Sequence, residues 1–371
     1  MAATNAKLGR AVAGLVGGTL AAGAVQAVDL PEDKAEAMVH LYDGGGTRAS
    51  GPALLVRKSM ADRFSLEAGY YVDAVSNASI DVVTQASPYR ETRQELDLGV
   101  NYVERDTLIK VSGSHSKEPD YIADTLGLDL TQDVFGGMTT VSFGFSHGSD
   151  KVGEKGISGW VGTAQHWQYR LGATQILTPR WLASANLEAV DDNGYLGSPY
   201  RLARVFDTFV HENVPTTRES RALRLGVVGD VTPDGATHRS AVRADLRYFW
   251  DTWGIKSLTG EVGYSRYFGT GWLADAFVRY YHQDGALFYY DNESVQTQYF
   301  TRNRELSTFH DVDIGGKVTY TLKDMPAKAD VKLTGSYELL DFHYNDFTDV
   351  RTGKLYSFNA HVIQAIVSAT F

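Results

Sequence analysis

The stretch "SFGFSHGSD" brings together Ser146, His147 and Asp150, the residue types of a nucleophile, a general base and an acid. A second stretch, "SGSHS", repeats the serine and histidine pairing. Such groups carry acyl hydrolysis when their side chains meet. Adjacent residues of a strand point to opposite faces, so Ser146 and His147 cannot act as nucleophile and base by themselves. We therefore predict that the protein is not an enzyme. A hydrolase with its site at the rim of a β-barrel, the fold predicted below, is the least favoured alternative.

Two acidic stretches, "HQDGALFYYDNE" and "LDFHYNDFTD", carry oxygen and imidazole groups that suit a hard divalent cation. The candidate metal ligands are Asp284, Asp291, Asp341, His343 and Asp346. Solvated acidic loops that bind the ions bridging lipopolysaccharide are the alternative interpretation. The chain has no cysteine, which excludes thiolate metal sites and disulfides. No cofactor is predicted.

Charged side chains also recur at every second position of apolar segments. In "AVRADLRYFW" the apolar residues share one face and the charged residues share the other. The charged positions of this kind are Glu67, Asp73, Glu95, Asp97, Arg224, Arg243 and Arg247. If they line a pore, acids facing bases across it would produce a transverse field that orients polar solutes. Local ion pairs within the wall are the alternative, because Arg93, Asp230 and Asp245 mix the signs.

These positions require an element with a period of two residues. Beyond residue 27 the chain is a succession of alternating segments about ten residues long, separated by clusters of Gly, Asp, Asn and Pro. That length suits a tilted strand crossing a membrane, and the apolar faces end in Tyr or Trp. The pattern predicts a closed antiparallel transmembrane β-barrel of about 16 strands, with 14 as the alternative if the first hairpin is not inserted.

Both ends of the chain support export to an outer membrane. Lys7 and Arg10 precede an apolar run that ends in "VQA", which predicts a signal peptide over residues 1–27 and a barrel domain over 28–371. The last strand, "HVIQAIVSATF", keeps an apolar face up to Phe371. It resembles the C-terminal insertion signal that the barrel assembly machinery recognises. The net charge of -10 argues against nucleic acid as a partner.

Loop lengths give the orientation. With the C-terminus in the periplasm, the long connections around 75–92, 148–165, 191–220, 283–309 and 343–357 all fall on the outside. Short periplasmic turns and long outer loops are typical of outer-membrane barrels.

The stretches "DLPEDKAEAMVHLYDGGG", "GPALLVRKSM" and "GYYVDAVSNASIDVVTQASPYRE" resemble a family of bacterial outer-membrane proteins classified as a domain of unknown function. The similarity extends over most of the mature chain. It implies an outer-membrane barrel and brings no catalytic or binding residues with it. Since relatives lie beside genes for a flavin-attaching transferase and a thioredoxin-like protein, it also implies periplasmic redox partners.

The sequence thus predicts a porin-like protein of the Gram-negative outer membrane for passive or selective passage of small polar solutes. Its surroundings would be outer-membrane lipids, lipopolysaccharide and the assembly machinery. The alternative is a non-conducting scaffold that binds or assembles an exported partner through its outer loops.

Overall fold

The computed structural model describes residues 28–77, 79–80, 89–322 and 329–371, so the predicted signal peptide over 1–27 lies outside the described residues. The described residues form eighteen strands and one turn of 3-10 helix at Arg304–Leu306. The strands are β1 Lys34–Gly44, β2 Thr47–Ala61, β3 Phe64–Asn77, β4 Tyr89–Glu104, β5 Thr107–Glu118, β6 Tyr121–Val134, β7 Thr139–Gly153, β8 Trp160–Thr178, β9 Trp181–Gly194, β10 Leu202–Val205, β11 Thr208–His211, β12 Thr217–Asp230, β13 Ser240–Asp251, β14 Lys256–Phe268, β15 Trp272–Gln283, β16 Phe309–Leu322, β17 Asp330–Asp349 and β18 Lys354–Thr370. Within the described ranges, no helix is long and apolar enough to cross a membrane.

Sixteen of the strands close into one antiparallel barrel, which confirms the predicted fold. Each strand pairs with its neighbours in the sequence, and β12 follows β9 because β10 and β11 form a separate hairpin. The seam is β1, which pairs with β2 along its whole length and with β18 from Lys34↔Thr370 to Gly44↔Ala360. The first hairpin is therefore part of the wall, and the 14-strand alternative is wrong. Its two-residue turn places Gly45 and Gly46 at positive φ, which a hairpin turn of this hand requires.

The two ends of the barrel differ. The inner rim carries the start of β1, the end of β18 and the connections 62–63, 105–106, 135–138, 179–180, 231–239 and 269–271. The outer rim carries the longest described connections, 195–216 and 284–308. Two expected outer loops are shorter than predicted, because β7 and β8 continue to a turn at 154–159, and β17 and β18 to a turn at 350–353. In these four strands the alternation of side chains continues beyond the apolar belt with polar residues. The strands therefore stay paired and extend outward as hairpins.

The outward face is a belt of exposed apolar side chains, as a lipid environment requires. It includes one such residue from every barrel strand: Val39, Leu54, Leu66, Leu98, Val111, Leu126, Phe143, Leu171, Leu187, Leu225, Leu246, Val262, Val278, Ile314, Tyr337 and Val367. Near the inner rim, Trp272 stacks on Phe268 with a 6.2 Å centroid distance and lies 4.6 Å from the ring of Tyr320. Aromatic side chains at this height form the interfacial girdle.

The C-terminus is held at the inner rim beside the start of β1. The backbone N–H of Phe371 donates to the carbonyl of Asp33 at 3.1 Å, and the Phe371 ring is half exposed beneath the Lys58 ammonium. Hydrogen bonds from Lys58 and from the Ser59 backbone hold the pKa of the Asp33 carboxyl at about 2, below its usual range. The terminal aromatic residue therefore lies at the closure of the barrel.

Candidate functional site: the lumen wall and its outer cap

The lumen wall divides into two sectors that differ in access to water. We call the inward faces of β5–β9, β12 and β13 the open sector. Two of its ion pairs are partly exposed: the side chains of Arg170 and Asp129, joined at 2.7 Å, are 41% and 38% exposed. Arg224 bonds Asp245 at 2.8 Å and is exposed to the same degree. Charged groups of both signs therefore line this part of the lumen and remain in contact with water.

A glycine makes room for the first of these pairs. A Cβ added to Gly144 would lie 2.6 Å from Arg170 Nε and 2.6 Å from Asp129 Oδ1. Gly144 pairs with Arg170 across β7 and β8, so the guanidinium lies directly over the Gly144 backbone. The absence of a side chain at this position allows the pair to lie flat against the wall.

We call the inward faces of β14–β18 and β1–β4 the packed sector. Several of its charged groups are buried, although the Lys317 side chain is 37% exposed. The Asp313 carboxylate is 0% exposed and pairs with Arg279. His40 Nε2 lies 2.6 Å from Asp73 Oδ1 and 3.1 Å from the Tyr71 hydroxyl, and both residues of the ion pair are buried. Burying such groups is costly unless they are paired, so this sector acts as a filled polar core rather than a wetted surface.

The charged residues singled out in the sequence lie on the inward faces of both sectors. Glu67 bridges two cations, with Arg57 Nη2 at 2.7 Å and Lys110 Nζ at 3.1 Å. Glu95 pairs with Arg93 on its own strand. The contact with Arg57 joins neighbouring strands, and the contact with Lys110 reaches across β4 from β5, as local ion pairs would.

The remaining predicted lumen residues are also held by close neighbours. Arg243 bonds Glu261 at 3.1 Å, and the Arg247 guanidinium lies 5.5 Å from the ring of Phe249. Asp97 lies on the inward face of β4 beside Gly69. The transverse field between the acidic and basic strands stays a prediction, and the contacts show that much of the charge is balanced locally.

Two outer connections meet over the lumen and form what we call the outer cap, residues 195–216 and 284–308. Asn213 and Phe300 exchange backbone hydrogen bonds of 3.1 and 2.8 Å. The Glu293 N–H donates to the Arg204 carbonyl at 2.8 Å, and Thr301 donates to a Glu212 carboxylate oxygen at 2.6 Å. The two connections therefore behave as one structural unit.

The cap is anchored on the packed sector by a buried arginine. Arg302 donates to Asp291 Oδ1 through Nε at 3.0 Å and Nη2 at 2.8 Å, and its guanidinium lies 4.2 Å from the centre of the Phe347 ring. Phe347 is fully buried next to a bulge in β17, where the register shifts between His343 and Thr348. The bulge turns the end of β17 toward the cap.

An apolar cluster completes this anchor. Its buried members from the cap are Ala286, Phe288, Tyr289 and Leu306, and those from the barrel and its rim are Ile80, Trp253, Ile255, Tyr344 and Phe347. The inward-facing rings of Phe309, Phe342 and Phe358 pack against it. Because these rings line the lumen, the cap lies within the outer mouth of the barrel.

On the open sector the cap is held by Tyr195 and Tyr200. The Tyr195 N–H donates to the Thr163 carbonyl at 2.8 Å, and its ring packs against the buried Tyr121 and Val152. The hydroxyl of Tyr200 donates to Asp120 Oδ2 and accepts from the Lys155 backbone N–H at 2.5 Å. Burial, followed by the bond to Asp120, raises the pKa of Tyr200 above its usual range. The phenol therefore stays protonated and able to donate.

The five predicted metal ligands do not converge on one site. Asp291 is engaged by Arg302, Asp346 accepts from the Thr308 N–H at 2.9 Å, and His343 pairs with Asp341 at 3.0 Å. Asp284 lies 3.6 Å from His282. Asp291 and Asp346 thus serve as anchors of the cap, a role that sequence reasoning missed, since only the tertiary contacts of Arg302 and Thr308 reveal it.

The serine and histidine pair lies on two faces, as the strand geometry requires. Ser146 donates to Gln168 at 3.2 Å inside the barrel, whereas the His147 ring packs on Trp167 with a centroid distance of 4.0 Å on the outside. Asp150 instead accompanies His166, whose Nε2 lies 2.9 Å from it.

A family model described as "Protein of unknown function (DUF3570)" matches residues 44–334, more than half of the chain. The chain belongs to this family. No curated protein sequence matches this chain. This membership confirms the family resemblance predicted from the sequence, and it assigns no activity to the chain.

Solved structures are similar to this chain at low sequence identity. A "Bacterial polysaccharide outer membrane secretin" is similar with a TM-score of 0.54 and 8% identity, over 92% of this chain and 99% of that chain. The "CymD monoaromatic hydrocarbon channel" gives 0.43 and 12% over 92% and 88% of the two chains. The outer membrane protein opdK from Pseudomonas aeruginosa gives 0.42 and 10% over 91% and 98%. The first of these shows that the barrel has the fold of outer-membrane proteins.

Proposed function

We propose that this protein is a channel of the bacterial outer membrane that passes small polar solutes along the open sector of its lumen. The observation that carries the proposal is the exposure of the Arg170–Asp129 and Arg224 groups, which face inward and yet remain in contact with water. Side chains that fill a wall become buried, as Asp313 does in the packed sector. A wetted polar strip along one side of the lumen is the surface that a hydrated solute requires.

The mixture of signs on this strip favours polar solutes that are neutral or carry both charges. Arg170 and Arg224 are each paired with an acid of another strand, so these pairs add no net charge to the wall. A solute could exchange its hydration for these groups one at a time, which keeps binding weak enough for release. The outer cap narrows the mouth and selects by size.

The alternative function is a non-conducting scaffold, and the cap is the observation that favours it. The cap reaches from Phe347 on the packed sector to Asp120 on the opposite side of the outer rim, so it spans the mouth of the barrel. In that case the exposed side of the cap would bind an exported partner. We propose no catalytic role. Outer-membrane lipids, lipopolysaccharide, the barrel assembly machinery and periplasmic redox proteins are the proposed partners.

Recording from single proteins in planar lipid bilayers separates the two functions. The refolded wild type is compared with Arg302→Gln, which removes the charge that holds the cap on the packed sector. We expect stepwise currents from the wild type and a higher conductance from the variant. Silence of the wild type with currents from the variant would show a closed cap over a competent pore. If neither protein gives a current, the scaffold function would replace the channel function.

A further inference from the structure

Three carboxylates meet at the outer rim of the open sector. Glu91 lies on β4, Glu118 is the last residue of β5, and Asp120 lies in the turn that follows. One oxygen from each lies within 4.8 Å of the others. Among the described residues, this is the one set of three or more potential metal ligands brought so close together.

The burial of two of these groups points to a ligand. Glu118 is 4% exposed and Asp120 is 5% exposed. In the described part of the chain, neither oxygen of Glu118 has a hydrogen-bond partner, nor does Oδ1 of Asp120. An ionised carboxylate buried in this way is unstable unless a proton or a cation neutralises it.

Among the residues that the structure describes, Glu118 has little positive charge beside it. Arg93 is the cationic neighbour of Glu118. Its Nε bonds the Ser116 hydroxyl at 2.9 Å, and its Nη2 pairs with Glu95. This guanidinium is already shared with Glu95, so it balances the buried Glu118 carboxylate only in part, and a divalent cation would complete the balance.

We propose that Glu91, Glu118 and Asp120 form a calcium site. Calcium binds carboxylate oxygens at about 2.3–2.6 Å, which places oxygens on opposite sides of the ion about 4.6–5.2 Å apart. The three oxygens all lie within 4.8 Å of one another, which is close enough for one calcium ion to contact all of them. Magnesium would need them within about 4.2 Å and in near-octahedral positions. Water would complete the coordination on the side of the rim.

The site lies at the weaker anchor of the cap. Asp120 accepts the Tyr200 hydroxyl with Oδ2, which leaves Oδ1 for the ion, so the two interactions use different oxygens. A bound ion would fix the Asp120 side chain in the orientation that Tyr200 requires. Calcium would thereby hold residues 195–216 over the open sector, independently of what passes beneath.

The test uses the full chain refolded in detergent without lipopolysaccharide and stripped with a chelator. Isothermal titration with calcium chloride should show one ion per chain with a Kd below about 1 mM, as for extracellular calcium modules. Calcium should also raise the midpoint of thermal unfolding. Glu118→Gln keeps the shape and removes the charge, and we expect at least a tenfold loss of affinity. Asp341→Asn, at an exposed acid elsewhere on the outer rim, should bind as the wild type does.

A wild type without saturable calcium binding would overturn the proposal, as would unchanged affinity in Glu118→Gln. If the buried carboxyl simply holds a proton, calcium has no effect on the midpoint and Glu118→Gln is as stable as the wild type throughout. Folding of each variant is checked by the shift in gel mobility on boiling. If Glu118→Gln does not fold, Asp120→Asn and Glu91→Gln take its place under the same criteria, and full binding by both would exclude the site.

Discussion

The packed and open sectors are built from strands of overlapping length, 11–20 and 12–19 residues, with the same alternation, yet several of their inward charges differ in burial. In the packed sector Asp313 and the His40–Asp73 pair are removed from water. In the open sector Arg170 and Asp129 remain exposed. The difference teaches that a strand pattern decides which face is polar, and that the elements lying over that face decide whether it becomes a core or a pore.

The cap makes this difference. Its apolar cluster covers the outer ends of the packed strands and excludes water from the groups beneath. On the other side it contacts the rim through Tyr195 and Tyr200. The apolar cluster on the open side is smaller than the one around Phe347, so we expect the mouth to open on the open side.

The largest effect should follow from breaking the closure on which both sectors depend. Deleting Phe371, or changing it to Asp, should prevent stable insertion, because lipid does not solvate the unpaired backbone of an unclosed barrel. Surface protein is measured by labelling Asp207→Cys in the cap with a membrane-impermeant thiol reagent on whole cells. We expect the signal to fall at least tenfold.

Asp234→Cys, at an exposed turn of the inner rim, serves as the control and should stay unlabelled in intact cells. Normal labelling of Asp207→Cys in the chain without Phe371 would contradict the role of the last residue. Labelling of Asp234→Cys instead would reverse the orientation of the barrel.

The sequence predicted the wall well because strand alternation is local. The paired segments around Leu66 and Leu246 could be read from ten residues each, and Phe371 marked the final strand. The cap could not be read in this way. Its anchor joins Asp291, Arg302 and Thr348, which are 46 to 57 residues apart in two of the three pairings. Acids in such a stretch have the same composition whether they bind a metal, a solvent shell or a buried arginine.

The next effect in size concerns the anchor of the cap on the packed sector. Phe347→Ala should cost about 3–5 kcal/mol of local stability, because it empties a fully buried position and removes the surface under the Arg302 guanidinium. Limited proteolysis of the refolded protein should then cut residues 195–216 and 284–308 much faster while the barrel stays intact.

Phe143→Ala provides the matched control, since this ring lies on the lipid-facing side of β7 and contacts no part of the cap cluster. Its cap should resist protease as the wild type does. If Phe347→Ala resists protease as well as the wild type does, the cap is held mainly by its polar contacts. The apolar cluster would then no longer explain why the inward charges of the packed sector are buried.

The smallest effect on stability should accompany the clearest effect on function. Arg170→Gln and Asp129→Asn each break a partly exposed ion pair, which costs about 0–1 kcal/mol. If solutes pass along the open sector, the first change should shift ion selectivity toward cations and the second toward anions, as measured by reversal potentials across a salt gradient. Asp313→Asn should leave selectivity unchanged, because that carboxylate is out of contact with water.

The shifts should shrink between 0.1 M and 1 M salt, where the screening length falls from about 10 Å to about 3 Å. Equal shifts from Asp313→Asn would mean that ions reach the packed sector too, and the division of the lumen would have to be abandoned.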